Sequence, residues 1–279
     1  MKILVTGYNG QLGYDVIKVL ESRGIPCKGV DIADFDLTDV NAVSRYIREF
    51  APSAVIHCAA YTAVDKSEEN KDICYAVNVT GTENVARVCM EINAKMMYIS
   101  TDYVFDGEWD KAFETDRPKA PKGEYGLTKS LGEDKVTGLL SQYFIIRTSW
   151  VFGINGGNFV KTMIRLGKER EEINVVSDQI GSPTYTADLA LLMCDMIVTD
   201  KYGVYHATNE GYCSWYEFTC AIMKEAGLSA RINPVTSEEY PSKAVRPKNS
   251  RLSKTSLDRA GFHRLPTWQY ALKRYIPQL

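Results

Sequence analysis

Apolar segments of two different lengths alternate along the first 150 positions of the chain. Residues 2–6 form a short apolar run that ends at a glycine, which is typical of a buried strand. In the next segment, residues 11–23, apolar side chains recur at the three- and four-residue spacing of an amphipathic helix. By the same criteria, further strands are predicted at 27–30, 54–57, 96–100 and 143–147, and helices at 40–50, 73–92 and from about 125.

This alternation of short strands and longer helices indicates a parallel sheet covered by helices on both faces. We therefore predict an α/β fold, a doubly wound parallel sheet (Rossmann fold), with a smaller, mostly helical C-terminal lobe for a substrate. A glycine-rich stretch at 153–157 and the prolines beyond residue 230 mark the change from the alternating strand–helix pattern to the lobe. The predicted division places residues 1–152 in a dinucleotide-binding domain, to which 173–206 return, and 153–172 and 207–279 in the lobe.

The composition is close to that of an average globular protein and favours a small-molecule partner. A net charge of −2 with 24% charged residues gives no field that would attract nucleic acid or an anionic membrane surface, so we expect neither partner. We see no secretory signal and no apolar run of transmembrane length. The seven cysteines form no Cys-x-x-Cys pair, and with only three histidines beside them we expect free thiols, a cytoplasmic location and no metal site.

The turn between the first predicted strand and helix carries glycine at positions 7, 10 and 13. In a doubly wound sheet this turn holds a dinucleotide pyrophosphate at the helix N-terminus, so Gly7, Gly10 and Gly13 indicate a phosphate cradle. A plain glycine-rich turn is the alternative reading, and the position between strand and helix argues against it. Asp31, at the end of the second strand, is placed to bind the adenosine ribose and is compatible with NADH. Lys28 is close to it in sequence, so NADPH remains an alternative cofactor.

Tyr125 and Lys129 are four residues apart and therefore neighbours on one helical face. A nearby ammonium favours the phenolate, so we expect Lys129 to lower the pKa of Tyr125 and make the phenol a better acid–base catalyst. Thr101 lies at the end of a predicted strand, where it could hydrogen-bond a substrate carbonyl. Asp102 could contact substrate hydroxyls or only cap a turn. Tyr125, Lys129 and Thr101 are thus the predicted catalytic residues.

Several longer motifs accompany these residues and extend over nearly the whole chain. They are Thr-Ala-Val-Asp-Lys at 62–66, Ser-Thr-Asp-Tyr-Val-Phe at 100–105, Arg-Thr-Ser-Trp-Val at 147–151, Asp-Gln-Ile-Gly-Ser-Pro at 178–183 and Leu-Pro-Thr-Trp at 265–268. Together with the glycine turn and Tyr-x-x-x-Lys, they resemble the extended short-chain dehydrogenase/reductase family, and the similarity is closer still to its members that reduce dTDP-4-dehydro-L-rhamnose. The resemblance implies NADH or NADPH as the cofactor and dTDP-4-dehydro-L-rhamnose as the substrate.

The resemblance also implies a role for individual residues. Those implied to line the cofactor, with the cradle glycines, are Gln11, Leu12, Asp31, Asp36, Leu37, Ala60, Tyr61 and Thr62, and Tyr125 and Lys129 would bridge cofactor and substrate. The sequence itself adds Ala59, because small residues at 59 and 60 after the third strand would let the backbone run against the cofactor. Those implied to contact the sugar nucleotide are Thr101, Asp102, Trp150, Asn158 and Arg246. For Trp150, Asn158 and Arg246, an ordinary core or surface role remains the alternative.

The acidic residues near the two ends of the sequence bear on its assembly. Some members of the family bind magnesium at a dimer interface through acidic residues near both termini; Asp15 is present here, but residues 270–279 contain no carboxylate side chain. We therefore expect a monomer or weak homodimer.

A sugar-nucleotide epimerase or dehydratase is the nearest rival function, although Tyr103 occupies the place where a dehydratase commonly has glutamate. A non-catalytic NADP-binding subunit, resembling the beta regulatory subunit of methionine adenosyltransferase, is the rival of another class.

Overall fold

A six-stranded parallel sheet forms the centre of the computed structural model, which describes residues 1–279. The strand order is β10-β5-β4-β3-β1-β2. These strands are β1 (Ile3–Thr6), β2 (Cys27–Val30), β3 (Ala54–His57), β4 (Lys95–Thr101), β5 (Tyr143–Thr148) and β10 (Gly203–His206). The shorter strands are β6 (Val151–Phe152), β7 (Glu172–Val176), β8 (Ile180–Gly181), β9 (Thr184–Tyr185), β11 (Cys213–Ser214) and β12 (Arg231–Val235).

Helices cover both faces of this sheet, as the alternating pattern predicted. In the N-terminal half they are α1 (Gln11–Ser22), α2 (Val40–Phe50), α3 (Val64–Ser67), α4 (Lys71–Tyr75), α5 (Thr82–Glu91) and α6 (Glu124–Leu139). In the C-terminal half they are α7 (Phe159–Glu169), α8 (Thr186–Ile197), α9 (Trp215–Glu225), α10 (Thr255–Ala260) and α11 (Trp268–Tyr275). The predicted α/β doubly wound fold is confirmed. No helix has both the length and the apolar character that a membrane span requires.

Two hydrophobic clusters hold the helices on the sheet. Ile3 and Val5 of β1 point to one face, where they join the apolar stripes of α1 and α8. Leu4 points to the other face, where α2, α5 and α6 pack. Because successive strand residues alternate between faces, every central strand contributes to both clusters. Burial on both sides explains why these strands read as continuous apolar runs.

The single long helix predicted at 73–92 is interrupted. The chain forms α4, then a π-helical turn at Ala76–Gly81, then α5. In that turn the Asn78 side chain accepts a hydrogen bond from the Tyr61 N–H at 2.8 Å and donates one to the Tyr61 carbonyl. The loop after β3 is therefore fixed by a side chain whose position depends on the wider helical turn.

The C-terminal half builds a third hydrophobic cluster from α7, α9 and α11. Within the segment 173–206, only β10 joins the central sheet; β7 pairs in parallel with β12 instead. In β7, Glu172 and Asn174 are exposed whereas Ile173 and Val175 are buried, so the strand has one solvent-facing side. A strand of this kind does not suit the interior of a sheet covered on both faces.

Candidate active site

A cleft of about 750 Å³ runs along the carboxyl ends of the central strands. It is the position at which doubly wound proteins bind ligands. Most of the residues predicted from the sequence line it, namely Gly7, Gly10, Gln11, Leu12, Gly13, Asp31, Asp36, Leu37, Ala59, Ala60, Thr62, Thr101, Asp102, Tyr125, Lys129 and Trp150. The structure thus brings the glycine turn and the Tyr-x-x-x-Lys pair to one cavity.

The glycine turn is shaped by close backbone contacts. Gly7 has φ of +69°, and a Cβ there would lie 2.7 Å from the backbone of Ala59. The Gly10 N–H donates to the Gly7 carbonyl at 3.0 Å, and Gly10 is the N-cap residue of α1, to which it offers no side-chain cap. The first N–H groups of a helix have no partner within the helix. In α1 they face the cleft without a side-chain acceptor, and an anionic group can occupy that position.

Asp31 is held in place by backbone groups at the end of β2. Its carboxylate accepts hydrogen bonds from the N–H groups of Asn9 and Ile32, at 3.2 and 2.9 Å. Asp36 is likewise engaged, because Oδ1 accepts from both the N–H and the hydroxyl of Thr38. The Asp31 carboxylate therefore reaches the cleft with a fixed orientation.

Tyr125 lies in the first turn of α6, and its ring meets the edge of the Tyr103 ring at a centroid distance of 5.5 Å. Desolvation raises the pKa of Tyr125 and the Asp102 charge acts in the same direction, whereas the neighbouring Thr101 hydroxyl lowers it. The phenol is consequently protonated at neutral pH. This is the state required of a proton donor.

Lys129 is buried one turn further along α6, with 3% of its surface exposed. Its ammonium lies 4.0 Å from the centre of the Tyr98 ring. Desolvation lowers the pKa of Lys129 to about 7, although the Glu133 carboxylate opposes this. At the phenol itself, desolvation and the Asp102 charge raise the pKa of Tyr125, and the expected lowering by Lys129 stays a prediction.

Beneath Lys129 lies a buried ionic network that the sequence did not reveal. Arg147 of β5 binds Glu133 of α6 through two hydrogen bonds, Nε to Oε1 at 2.9 Å and Nη2 to Oε2 at 2.7 Å. Ser100 of β4 also donates to Glu133 Oε1, at 2.5 Å. The network ties α6 to both strands and fixes the helix that carries Tyr125 and Lys129. The Arg-Thr-Ser-Trp motif at 147–150 is visible in the sequence, but the pairing of its arginine with Glu133 is seen only in the structure.

Asp102 is buried beside Thr101 at the end of β4. The Thr101 hydroxyl donates to Asp102 Oδ1 at 2.9 Å, whereas Oδ2 has no hydrogen-bond partner. Burial raises the pKa of Asp102 to about 6, although the nearby Ser250 and Thr101 hydroxyls act in the opposite direction. An unpartnered carboxylate oxygen in the wall of the cleft is suited to accept a hydrogen bond from a ligand hydroxyl.

Trp150 forms one wall of the cleft together with a residue that sequence reasoning missed. Its backbone has φ of +50°, and its indole stacks on that of Trp215 with the ring centres 3.7 Å apart. Trp215, the first residue of α9, also lines the cleft. This stack connects the end of the main sheet to the C-terminal half. A flat aromatic wall of this kind can pack on a sugar or a base.

Three predicted residues do not line the cleft. Tyr61 is held by Asn78 through its backbone. Asn158 caps α7 and donates to the side-chain oxygen of Gln11 at 3.1 Å. Arg246 pairs with Asp65 at 2.7 Å. Asn158 and Arg246 lie around the cleft rather than in its lining. Asn158 holds the cleft residue Gln11 in place, and Arg246 joins the loop before residue 250 to α3.

A glycine turn at a helix N-terminus and a protonated tyrosine in one cleft are typical of a nicotinamide-dependent oxidoreductase of the short-chain dehydrogenase/reductase class. The model of the family described as RmlD substrate binding domain matches residues 1–279, and the chain belongs to that family. The resemblance seen in the motifs is thereby confirmed.

Individual relatives agree with this placement. The chain is 41% identical to the spore coat polysaccharide biosynthesis protein SpsK of Bacillus subtilis, over 99% of this chain and 97% of that protein. It is 39% identical to the dTDP-4-dehydrorhamnose reductase of Aggregatibacter actinomycetemcomitans, over 98% and 97% of the two chains. A crystal structure of dTDP-4-dehydrorhamnose reductase from Bacillus anthracis in complex with NADP superposes with a TM-score of 0.97, at 43% identity and over all of both chains.

Proposed function

We propose that this chain reduces the C4 ketone of dTDP-4-dehydro-L-rhamnose, with NADH or NADPH as the hydride source, to give dTDP-L-rhamnose. The observation that carries the proposal is that Tyr125, Thr101 and the Gly7–Gly13 cradle line a single cleft. Relatives that match over nearly their full length bear the name dTDP-4-dehydrorhamnose reductase, and the Bacillus anthracis structure holds NADP.

The glycine turn and Asp31 support a dinucleotide in the cleft. A Cβ on Gly7 or Gly13 would overlap backbone atoms, so this tight turn before α1 requires glycine at both positions. Gly7, Gly10, Gln11, Leu12 and Gly13 would hold the pyrophosphate, and Asp31 the adenosine ribose. When bound, a reduced nicotinamide supplies a hydride to the substrate carbonyl carbon.

The chain's own residues supply the proton and the orientation. As negative charge develops on the substrate oxygen, the Tyr125 phenol donates its proton to that oxygen. The Thr101 hydroxyl, which is next to Tyr125, orients the same oxygen. Asp102 Oδ2 accepts a hydrogen bond from a sugar hydroxyl. The Lys129 ammonium stabilises the tyrosinate that remains after the transfer.

The C-terminal lobe supplies the rest of the substrate site in this proposal. Residues 153–172 and 207–279 would form the sugar-nucleotide lobe, and 1–152 the dinucleotide-binding domain. Support comes from the Trp150–Trp215 stack, where a residue of each part lines the cleft. A monomer or weak homodimer and a cytoplasmic location complete the proposal; seven unpaired cysteines are consistent with a reducing compartment.

The test is a spectrophotometric assay with enzymatically prepared dTDP-4-dehydro-L-rhamnose. We expect substrate-dependent oxidation of NADH or NADPH and a product identified as dTDP-L-rhamnose by mass spectrometry and NMR. Parallel titrations with the two cofactors rank them. Binding of both cofactors with no oxidation would contradict the proposal and favour the regulatory-subunit alternative. Oxidation with a different dTDP-sugar only would keep the reductase chemistry and reject the rhamnose assignment.

Gly13 offers a direct test of the cradle. A Cβ at this position would lie 2.3 Å from the carbonyl oxygen of Gly7 and 2.8 Å from the Cα of Tyr8. Both are backbone atoms of the turn, so Gly13→Ala must displace the turn itself. We expect a loss of stability of about 1–3 kcal/mol and cofactor binding weakened by about tenfold or more. Chemical denaturation and isothermal titration calorimetry measure the two effects.

Gly138 is the matched control. It lies within α6, and a Cβ there would meet no atom within 4 Å. Gly138→Ala should therefore leave cofactor affinity unchanged and stabilise the chain by about 0.5–1 kcal/mol, because alanine favours the helix. Equal cofactor affinity in the Gly13 and Gly138 variants would show that the turn is not a phosphate cradle.

A further inference from the structure

A second cavity of about 470 Å³ lies apart from the active-site cleft and shares no lining residue with it. Three separate segments form it, at residues 109–114, 210–212 and 253–264. The aromatic side chains of Trp109 and Tyr212 stand in its wall, and both are partly exposed. Nothing in the proposed reaction uses these residues.

Lys254 is the most deeply buried charged residue of this cavity. Only 3% of its surface is exposed. Its ammonium makes no hydrogen bond and has no carboxylate within 4.0 Å, although the Tyr212 ring centre lies 4.8 Å away. Desolvation lowers the pKa of Lys254 to about 8, and the more distant Glu210 carboxylate opposes this. A buried ammonium without a partner is unfavourable unless a ligand or water completes its hydrogen bonds.

Several other charged groups of the cavity have partners, although Glu210 Oε1 has none. Arg264 binds Asp258 and also contacts Glu210 at 3.4 Å. The Glu114 carboxylate accepts a hydrogen bond from the Thr255 hydroxyl. Counted with Asp258, which binds Arg264, the three cations of the cavity are balanced by three carboxylates. Lys111 and Lys254 are the two ammonium groups of the cavity that have no carboxylate within 4.0 Å, and Lys254 is the more deeply buried of the two.

We propose that this second cavity binds a small phosphate-bearing ligand, with the Lys254 ammonium as the anchor for the phosphate oxygens. A lysine ammonium is a compact point charge with three donors, which suits a phosphate group. Trp109 and Tyr212 provide apolar surface for the body of an organic phosphate. The site is independent of the proposed reductase activity. Its ligand is either free phosphate or a phosphate carried on an aromatic molecule.

Calorimetric titration of the NADPH-saturated chain tests the site, because the cradle is then filled. The probes are inorganic phosphate and phenyl phosphate, each titrated into the unmodified chain, Lys254→Met and Lys168→Met. Lys168 is an exposed lysine in the last turn of α7 and serves as the control. We expect the Lys254 substitution to weaken probe binding at least about tenfold, and the Lys168 substitution to leave it unchanged.

The two probes separate the two ligand sources. Binding of both at similar affinity assigns the site to free phosphate, whereas tighter binding of phenyl phosphate assigns it to an aromatic phosphate. Failure of both probes to bind the unmodified chain, or equal binding to the Lys254 variant, overturns the proposal.

A labelling experiment on the unmodified chain avoids any question of whether the variant folds. Because desolvation lowers the pKa of Lys254 to about 8, its amine should react with acylating reagents faster than that of an ordinary lysine at the same pH. Phenyl phosphate should slow the acylation of Lys254, followed by peptide mass spectrometry, and should not slow that of Lys168. Acylation of Lys254 at an unchanged rate would contradict the site even if some phosphate binds elsewhere.

Discussion

Tyr125→Phe should lower kcat by about 10²–10⁴-fold, the range that general acid catalysis contributes. The substitution removes the phenolic oxygen and keeps the ring that packs against Tyr103. The cofactor Kd should change little, because the cradle and Asp31 lie on other elements of the cleft. Steady-state kinetics with dTDP-4-dehydro-L-rhamnose and calorimetry with NADPH measure the two quantities separately.

Tyr143→Phe is the matched control for this prediction. Tyr143 begins β5, whereas the cleft lies at the other end of that strand, near Thr148. Removal of its hydroxyl should leave kcat unchanged. If the Tyr125 and Tyr143 variants turned over at the same rate, Tyr125 would not be the proton donor, and a water or Asp102 would have to supply the proton.

Arg147→Met should lower the free energy of unfolding by about 3–5 kcal/mol, which is typical of a buried ion pair that loses one partner. Arg147 and Glu133 have 4% and 3% of their side chains exposed. The remaining carboxylate would stay in the interior with only the Ser100 hydroxyl at 2.5 Å and the more distant Lys119 ammonium at 3.7 Å. Urea denaturation followed by far-UV circular dichroism measures the loss.

The exposed pair Arg165–Glu169 provides the comparison. Its two side chains are 61% and 52% exposed, and its charges are four residues apart on α7. Arg165→Met should change stability by less than about 0.5 kcal/mol, as is usual for such pairs. A double variant, Arg147→Met with Glu133→Leu, should recover part of the loss because the carboxylate left without Arg147 is then absent as well. If Arg147→Met cost no more than Arg165→Met, the network would not secure α6.

Much of the fold and of the cofactor cradle could be predicted because both depend on residues close in sequence. The cradle is encoded in one turn, where Gly7 and Gly13 are six positions apart. The strands of the central sheet are buried on both faces, so their apolar runs are visible without knowledge of their neighbours. Tyr125 and Lys129 are likewise joined by helical geometry alone.

What could not be predicted depends on contacts between distant residues. The partner of Arg147 is Glu133 on the preceding helix, and nothing in the motif containing Arg147 indicates it. Trp215 lines the cleft beside Trp150, on which it stacks although it lies 65 residues later in the chain. Arg246 was assigned to the substrate from resemblance, whereas the structure pairs it with Asp65. The pairing of β7 with β12 also follows only from the tertiary structure.

The Trp150–Trp215 stack gives this chain an optical reporter of its own. Two indoles 3.7 Å apart and tilted by only 13° have strongly coupled electronic transitions. Such coupling shapes the near-ultraviolet circular dichroism and quenches fluorescence, and both depend steeply on ring separation. Since both rings line the cleft and belong to different halves of the chain, arrival of a sugar nucleotide that shifts either ring would change the spectrum without any added label.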